Sequence, residues 1–191
     1  MRDRLVLGLR RLRLRFWLLA GAQRKALACA ECITRDFPDD VHALATQAHV
    51  LAALQCLPEA LQRQARVVSL APRDAAAWFN LGYLAEASGE LERAEQAFAR
   101  AIELDERLDR AWYGLALTQM RCGRDEQARH ALQRTTELQP MSPLGWYHLA
   151  HVQARLHQTQ EARRIVEHLW GFEPRVARQL EQELAAVAGQ G

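Results

Sequence analysis

A spacing of 34 residues recurs along most of this 191-residue chain and restricts its fold more than any other feature of the sequence. An alanine fills one column of the repeat five times in succession: Ala26, Ala60, Ala94, Ala128 and Ala162. The units cover residues 7–40, 41–74, 75–108, 109–142 and 143–176, with no insertion or deletion between them. So regular a repeat predicts identical units that bury their apolar faces against their neighbours.

Each unit is predicted to hold two amphipathic helices joined by a short turn. In the third unit the apolar pattern predicts a first helix over about residues 76–88 and a second over about residues 91–104. Three units have a glycine at the turn, where a positive φ is needed: Gly21, Gly89 and Gly123. Helices of about 13 residues are marginal in water on their own, so they must pack against each other.

Large and very small side chains alternate in this third unit. Gly82 and Ala94 are expected to let the paired helices approach closely, while Trp78, Leu81 and Phe98 fill the space around the crossing. Tryptophan returns 34 and 68 residues later, and proline closes most units: Pro38, Pro72, Pro140 and Pro174, with Glu106 in the remaining position. This pattern of tryptophan, leucine-glycine, alanine, phenylalanine, alanine and proline resembles the tetratricopeptide repeat signature.

The resemblance implies an all-α fold, a right-handed α-solenoid of helix-turn-helix hairpins. After the fifth unit, four apolar residues at helical spacing predict a C-terminal capping helix over about residues 177–188: Val176, Leu180, Leu184 and Val187. Because the register covers most of the chain, we expect residues 1–191 to form a single domain.

The N-terminal segment is strongly basic, although the whole chain has a net charge of only +2. Residues 1–25 hold eight basic side chains and one acid, Asp3. An apolar stripe at helical spacing is expected to cover the first repeat, with the arginines as a solvated outer face: Leu5, Leu9, Leu12, Phe16 and Leu19. The open alternative is an anionic membrane surface beside this helix. Nucleic acid is the weakest alternative, because no recognised binding module accompanies the charge.

The sequence predicts no enzyme, cofactor or metal site. Lys25 is the only lysine and no glycine-rich turn precedes it, so no phosphate-binding loop can be identified. Cys29 and Cys32 form a CxxC motif in the middle of a predicted helix rather than at its N-terminus, which favours two buried small apolar residues over a redox pair. His42 and His49 form one pair on a predicted helix and His148 and His151 another, but about three repeats separate the pairs, which is too far for them to share a zinc ion.

In tetratricopeptide repeat proteins the first helix of each hairpin lines a concave groove that binds ligands. The resemblance therefore implies a peptide-binding groove lined by these positions: Arg11, Arg15, His49, Phe79, Asn80, Tyr83, Arg110, Tyr113, Arg121, Tyr147, His148, His151 and Arg155. Phe79, Tyr113 and Tyr147 share one column and are expected to form an aromatic ladder, although packing between neighbouring helices is the alternative. Arginine and aromatic residues are enriched at binding hot spots.

These features predict a bacterial, cytoplasmic adaptor that binds another protein through an acidic or aromatic peptide segment, or through a helix, in the groove. A position peripheral to the inner membrane stays open because of the basic N-terminal helix. The alternative function is a secretion-type or assembly chaperone for an exported or membrane-associated partner. Asn80 and Arg110 match two columns of the carboxylate clamp found in some chaperone-binding relatives, but Ala45, His49 and Gly114 do not, so a clamp-type ligand is not expected.

Overall fold

The computed structural model describes residues 2–188, and all regular secondary structure within them is helical. Eleven helices follow one another in this range: α1 (Arg2–Leu19), α2 (Gln23–Asp36), α3 (Val41–Ala53), α4 (Leu57–Leu70), α5 (Ala75–Ala87), α6 (Leu91–Leu104), α7 (Asp109–Arg121), α8 (Asp125–Leu138), α9 (Pro143–Arg155), α10 (Thr159–Trp170) and α11 (Pro174–Ala188). The predicted all-α helical-repeat fold is confirmed.

Helix boundaries follow the 34-residue step through the middle of the chain. The second helices of all five hairpins begin one step apart, at Gln23, Leu57, Leu91, Asp125 and Thr159. The first helices α3, α5, α7 and α9 do the same. Two ends differ from the expectation: α1 begins at Arg2, before the repeat register, and α11 begins at Pro174, where proline suits the first turn of a helix.

The turn inside every hairpin has one residue in the left-handed conformation. Glycine occupies this position in three hairpins, with φ between 65° and 80°. The two remaining hairpins place Gln55 (φ 62°) and His157 (φ 59°) at the same register position, which the glycine pattern did not reveal. The turn geometry is therefore repeated in all five units, at a steric cost in two of them.

The core combines small and large apolar residues, and the alanine column is part of it, as predicted. All five alanines of that column are at most 1% exposed, and Phe98 and Leu81 are also buried. The tryptophans differ from the expectation, because they are only partly buried. The indole N–H groups of Trp78, Trp112 and Trp146 each donate a hydrogen bond of 2.8–3.0 Å to the carbonyl oxygen six residues earlier. These side chains therefore hold the loop between consecutive hairpins.

The described helices belong to two compact units, one running to Ala97 and the other beginning at Phe98. In the N-terminal unit, consecutive helices from α1 to α5 pack on one another. In the C-terminal unit, consecutive helices from α7 to α11 pack in the same way, and α11 also contacts α9. The single-domain organisation stays a prediction. None of the described helices combines the length and the apolar composition that crossing a membrane requires.

Helix α1 turns the face opposite to the expected one toward the rest of its unit. Leu14 is 0% exposed and packs with Leu7 and Trp17 against α2 and α3. The predicted covering stripe is instead exposed, at 59–83% for each of its five side chains. The prediction that this stripe covers the first repeat is wrong, because leucines on both faces of α1 made either orientation compatible with the sequence. The arginines are not a uniformly solvated face either, since Arg10 pairs with Asp36 and Arg11 with Asp40.

Candidate functional site

The N-terminal unit contains an open pocket of about 840 Å³, hereafter the N-terminal pocket. Its walls come from the first helices of three successive hairpins, α1, α3 and α5, together with the loop between α2 and α3 and part of α4. Its lining includes Leu7, Arg11, His42, Ala45, Val67 and Asn80, and the aspartates 36, 39, 40 and 74. A volume of a few hundred to about 1,000 Å³ is typical of ligand sites.

Aspartates organise this pocket. The Asp40 side chain is 2% exposed, accepts a hydrogen bond from the Ala43 backbone N–H at 2.9 Å as the N-cap of α3, and pairs with the Arg11 guanidinium at 2.6 Å. Aspartate is a preferred N-cap residue, because its carboxylate accepts a hydrogen bond from a backbone N–H of the first turn that has no partner within the helix. Asp74 caps α5 in the same way. The lining contains four aspartates and one arginine, and three of the aspartates are ion-paired: Asp36 with Arg10, Asp39 with Arg66 and Asp40 with Arg11.

The predicted groove residues of the N-terminal unit divide into two sets. Arg11 and Asn80 line the N-terminal pocket. Arg15 and His49 are exposed on α1 and α3 but lie outside the pocket lining. On α5, Phe79 is half-buried and Tyr83 is 58% exposed, and neither side chain lines the pocket.

In the C-terminal unit, four predicted residues come together as a chain of rings, hereafter the ring cluster: Tyr113, Tyr147, His148 and His151. The ring centroid of His148 lies 5.7 Å from that of Tyr113 and 5.3 Å from that of Tyr147. The Tyr147 and His151 centroids are 4.6 Å apart. Within this unit the rings of Tyr113 and Tyr147 are therefore connected through His148, which contacts both of them, and the expected aromatic ladder includes a histidine.

Helix α11 reaches the ring cluster through Glu183, which the sequence analysis did not single out. The Tyr147 hydroxyl donates to the Glu183 carboxylate at 2.7 Å, and His151 Nε2 lies 2.9 Å from the same oxygen. Gln179 donates to the other carboxylate oxygen at 2.9 Å. Sequence reasoning missed Glu183 because its partners are 32 and 36 residues away, and the apolar pattern that predicted α11 carries no information about polar contacts.

Hydrogen bonds and burial raise the pKa of one group at the ring cluster, Tyr147, and lower the pKa of two others, His148 and Glu183. The hydrogen bond to Glu183 is the main cause that raises the pKa of Tyr147. Hydrogen bonds from Gln179 and Tyr147 lower the pKa of Glu183. Burial, followed by the nearby His151, lowers the pKa of His148, so its neutral form is favoured. The neutral form of His148 is thus favoured next to the tyrosine rings, while the ionised form of Glu183 is favoured beside Tyr147.

The arginines of the C-terminal unit lie in different settings. Arg155 pairs with Asp125 at 2.9 Å, which links α9 to α8 and leaves the guanidinium partly exposed. Arg110 and Arg121 are exposed on α7. Asp125 was not singled out from the sequence, although its place in the first turn of α8 is a common one for an acidic residue.

Metal-binding and redox chemistry have little support in the part of the chain that the structure describes. No three histidine, cysteine, aspartate or glutamate side chains converge there as a metal site requires. Cys29 and Cys32 lie within α2, but Cys32 is exposed and Cys29 half-buried, so the expectation that both are buried apolar residues is wrong. Burial raises the pKa of the Cys29 thiol, which disfavours the reactive thiolate.

Two family models described as tetratricopeptide repeat match this chain, over residues 39–109 and 85–146. The chain belongs to the tetratricopeptide repeat family. Together these ranges cover the second, third and fourth units and end at the start of the fifth. The family is one of protein-interaction scaffolds, and this coarse function applies to the present tetratricopeptide repeat protein. No curated protein sequence matches the chain.

Solved structures of other tetratricopeptide repeat proteins share the fold. A crystal structure of MamA has a TM-score of 0.83 at 19% identity, covering 90% of this chain and 94% of MamA. YrrB, whose structure is described as a TPR protein with an unusual peptide-binding site, has a TM-score of 0.78 at 15% identity over 88% of both chains. PilF of Pseudomonas aeruginosa has a TM-score of 0.79 at 16% identity, covering 99% of this chain and 87% of PilF.

Proposed function

We propose that this tetratricopeptide repeat protein is a non-catalytic adaptor that binds a segment of a partner protein, as an extended peptide or a short helix, in the N-terminal pocket. The observation that carries the proposal is the origin of the pocket walls in three successive first helices, α1, α3 and α5. A site built across several repeats suits an elongated ligand. The peptide-binding site described for YrrB supports the same class of ligand.

The charges of the N-terminal pocket favour a different segment from the acidic one expected from the arginines. Four aspartates line the pocket beside one arginine, Arg11, which is paired with Asp40. Asp36 and Asp39 pair with Arg10 and Arg66, whereas Asp74 caps α5 and has no ion pair with another residue that the structure describes. The Asp39 carboxylate pairs with Arg66 yet keeps 63% of its side chain exposed, so it stays accessible to a ligand. We therefore propose that the bound segment presents basic or neutral polar side chains to this pocket. Electrostatic complementarity of this kind contributes mainly to specificity and association rate.

Site-directed photo-crosslinking tests the proposal in the host cell. A photo-reactive amino acid at Asn80, in the pocket, should crosslink a defined partner, whereas the same amino acid at Gln62, exposed on α4 outside the pocket, should not. Equal crosslinking at both positions would show non-specific contact and contradict the assignment.

Blocking the pocket tests binding directly with the partner so identified. Ala45→Gln places a larger side chain in the pocket without favouring another backbone conformation, and should weaken binding at least tenfold. Ala53→Gln makes the same change at an exposed position of the same helix and should leave the affinity unchanged. Unaltered affinity in Ala45→Gln would exclude the N-terminal pocket as the site.

A further inference from the structure

The outer face of α1 is a continuous apolar surface, hereafter the α1 stripe, formed by Leu5, Leu9, Leu12, Phe16 and Leu19. Every one of these side chains is more than half exposed. From first to last they span about 21 Å of helix, at about 1.5 Å per residue. Exposed apolar patches of this extent usually mark an interaction surface.

The opposite face of α1 is already used in folding. Leu14 is fully buried against α2 and α3, with Leu7 and Trp17 beside it. The α1 stripe cannot turn inward without exposing these residues, so its exposure is a consequence of how the N-terminal unit packs. Its occupant must therefore come from outside the described fold.

Positive charge flanks the α1 stripe on both sides. At about 100° per residue, Arg13 and Arg15 project about 80° to either side of the stripe axis. Both side chains are exposed, and neither forms an ion pair with another residue that the structure describes. An apolar face bordered by arginines, with leucine and phenylalanine at its centre, is the composition of a helix that lies in a lipid interface.

We propose that the α1 stripe docks this protein on an anionic lipid surface, with α1 parallel to the membrane plane and Arg13 and Arg15 at the headgroup level. The helix lies on the bilayer rather than crossing it, as no described helix suits a spanning role. A second copy of α1 is a poorer occupant, because two such stripes in contact would bring like-charged arginine borders together. An anionic bilayer neutralises both borders at once.

Vesicle flotation of the full chain tests this docking. The protein should float with phosphatidylcholine vesicles that contain the anionic lipid phosphatidylglycerol, and only weakly with vesicles of phosphatidylcholine alone. Leu9→Gln with Leu12→Gln should lower binding about tenfold or more, because two exposed leucines no longer enter the lipid. Arg13→Gln with Arg15→Gln should lower binding to anionic vesicles about tenfold, with little change on neutral ones.

Matched control variants distinguish a specific effect of the α1 stripe on vesicle binding from a general effect of removing exposed apolar or charged side chains. Met141→Gln with Leu144→Gln removes two exposed apolar side chains from the C-terminal unit, and Arg63→Gln with Arg73→Gln removes two exposed arginines elsewhere in the N-terminal unit. Both control proteins should bind anionic vesicles as the wild type does. Circular dichroism should show the same helix content in all variants.

Three results would overturn the proposal. The first is equal binding to neutral and anionic vesicles, and the second is undiminished binding when Leu9 and Leu12 are changed. The third is a concentration-dependent dimer in sedimentation that Leu9→Gln with Leu12→Gln abolishes, in a protein that does not bind vesicles. That last outcome would assign the stripe to self-association instead.

Discussion

Gly114 offers the sharpest test of the packing, because adding a single methyl group there has a calculable effect. A Cβ built at Gly114 would lie 2.6 Å from Phe98 Cζ, 2.7 Å from Cε1 and 3.1 Å from Cε2. Ordinary contacts between carbon atoms are about 3.5–4.0 Å, so the ring would have to withdraw by about 1 Å. Phe98 is 2% exposed and cannot move into solvent. We therefore expect the overlap in Gly114→Ala to cost about 3 kcal/mol, the upper end for overpacking of a core.

The helical backbone offsets part of this cost. Replacing an interior helical glycine by alanine gains about 1 kcal/mol, so the net destabilisation by Gly114→Ala should be about 2 kcal/mol. Gly8→Ala is the matched control, since Gly8 lies inside α1 and an added Cβ there meets nothing within 4 Å. That variant should be stabilised by about 1 kcal/mol. The difference of about 3 kcal/mol between the two variants isolates the overlap with Phe98.

Urea denaturation followed by circular dichroism measures these free energies of unfolding, and the melting temperature should fall by about 4–8 °C in Gly114→Ala. The double variant with Phe98→Leu and Gly114→Ala should be about 2 kcal/mol more stable than the sum of the two single effects predicts, because the smaller side chain makes room for the methyl group. Stabilisation of the protein by Gly114→Ala as large as that by Gly8→Ala would contradict the overlap with Phe98. Additive effects of the changes at positions 98 and 114 would contradict it as well.

Three further predictions concern the turns and the ring cluster. Gln55→Gly and His157→Gly should each stabilise the protein by about 0.5–1 kcal/mol by relieving the left-handed backbone, while Gln62→Gly within α4 should destabilise it by about 1 kcal/mol; urea titrations check all three. Glu183→Gln should lower the pKa of Tyr147 toward its ordinary value in an ultraviolet titration, because the hydrogen-bonded carboxylate that raises it has lost its charge; an unchanged titration would contradict the contact. Because the pKa of His148 is lowered in the folded protein, the unfolded chain binds the proton first as the pH falls, so stability should decrease as the pH falls through about 6.5 toward that lowered pKa. Melting temperatures between pH 5 and 8 should show this decrease in the wild type, and a curve equally steep in His148→Gln would exclude His148 as its origin.

Periodicity predicts those parts of the fold that depend on backbone geometry repeated in each unit. The alanine column marks buried positions, and glycine marks three of the five turns, because a small side chain or a positive φ leaves a direct trace in residue type. The turns at Gln55 and His157 left no such trace, because the neighbouring hairpin geometry imposes the conformation on residues that do not prefer it.

The candidate site was less predictable, since it depends on which side of a helix meets a neighbour and on contacts distant in sequence. Helix α1 has leucine on opposite faces, and only the packing of Leu14 against α2 and α3 decides which of them is buried. Arg11 was expected to meet a ligand, but Asp40, 29 residues later, already binds its guanidinium. Tyr113, Tyr147 and His148 lie on the first helices of their hairpins, α7 and α9, as the repeat register predicts. Glu183, whose carboxylate binds Tyr147, lies on α11, outside the repeats.

The tryptophan hydrogen bonds have a consequence for how such a chain can diverge. Each indole recognises a main-chain oxygen, at Pro72, Glu106 and Pro140, and this atom is present whatever side chain the residue has. The connection between the third and fourth hairpins therefore keeps its form although Glu106 stands where the signature has proline. The side chains of these connections can therefore vary during evolution, because the hydrogen bond from the indole to the main chain preserves the loop geometry. A sequence search that requires proline at this position would miss intact repeats.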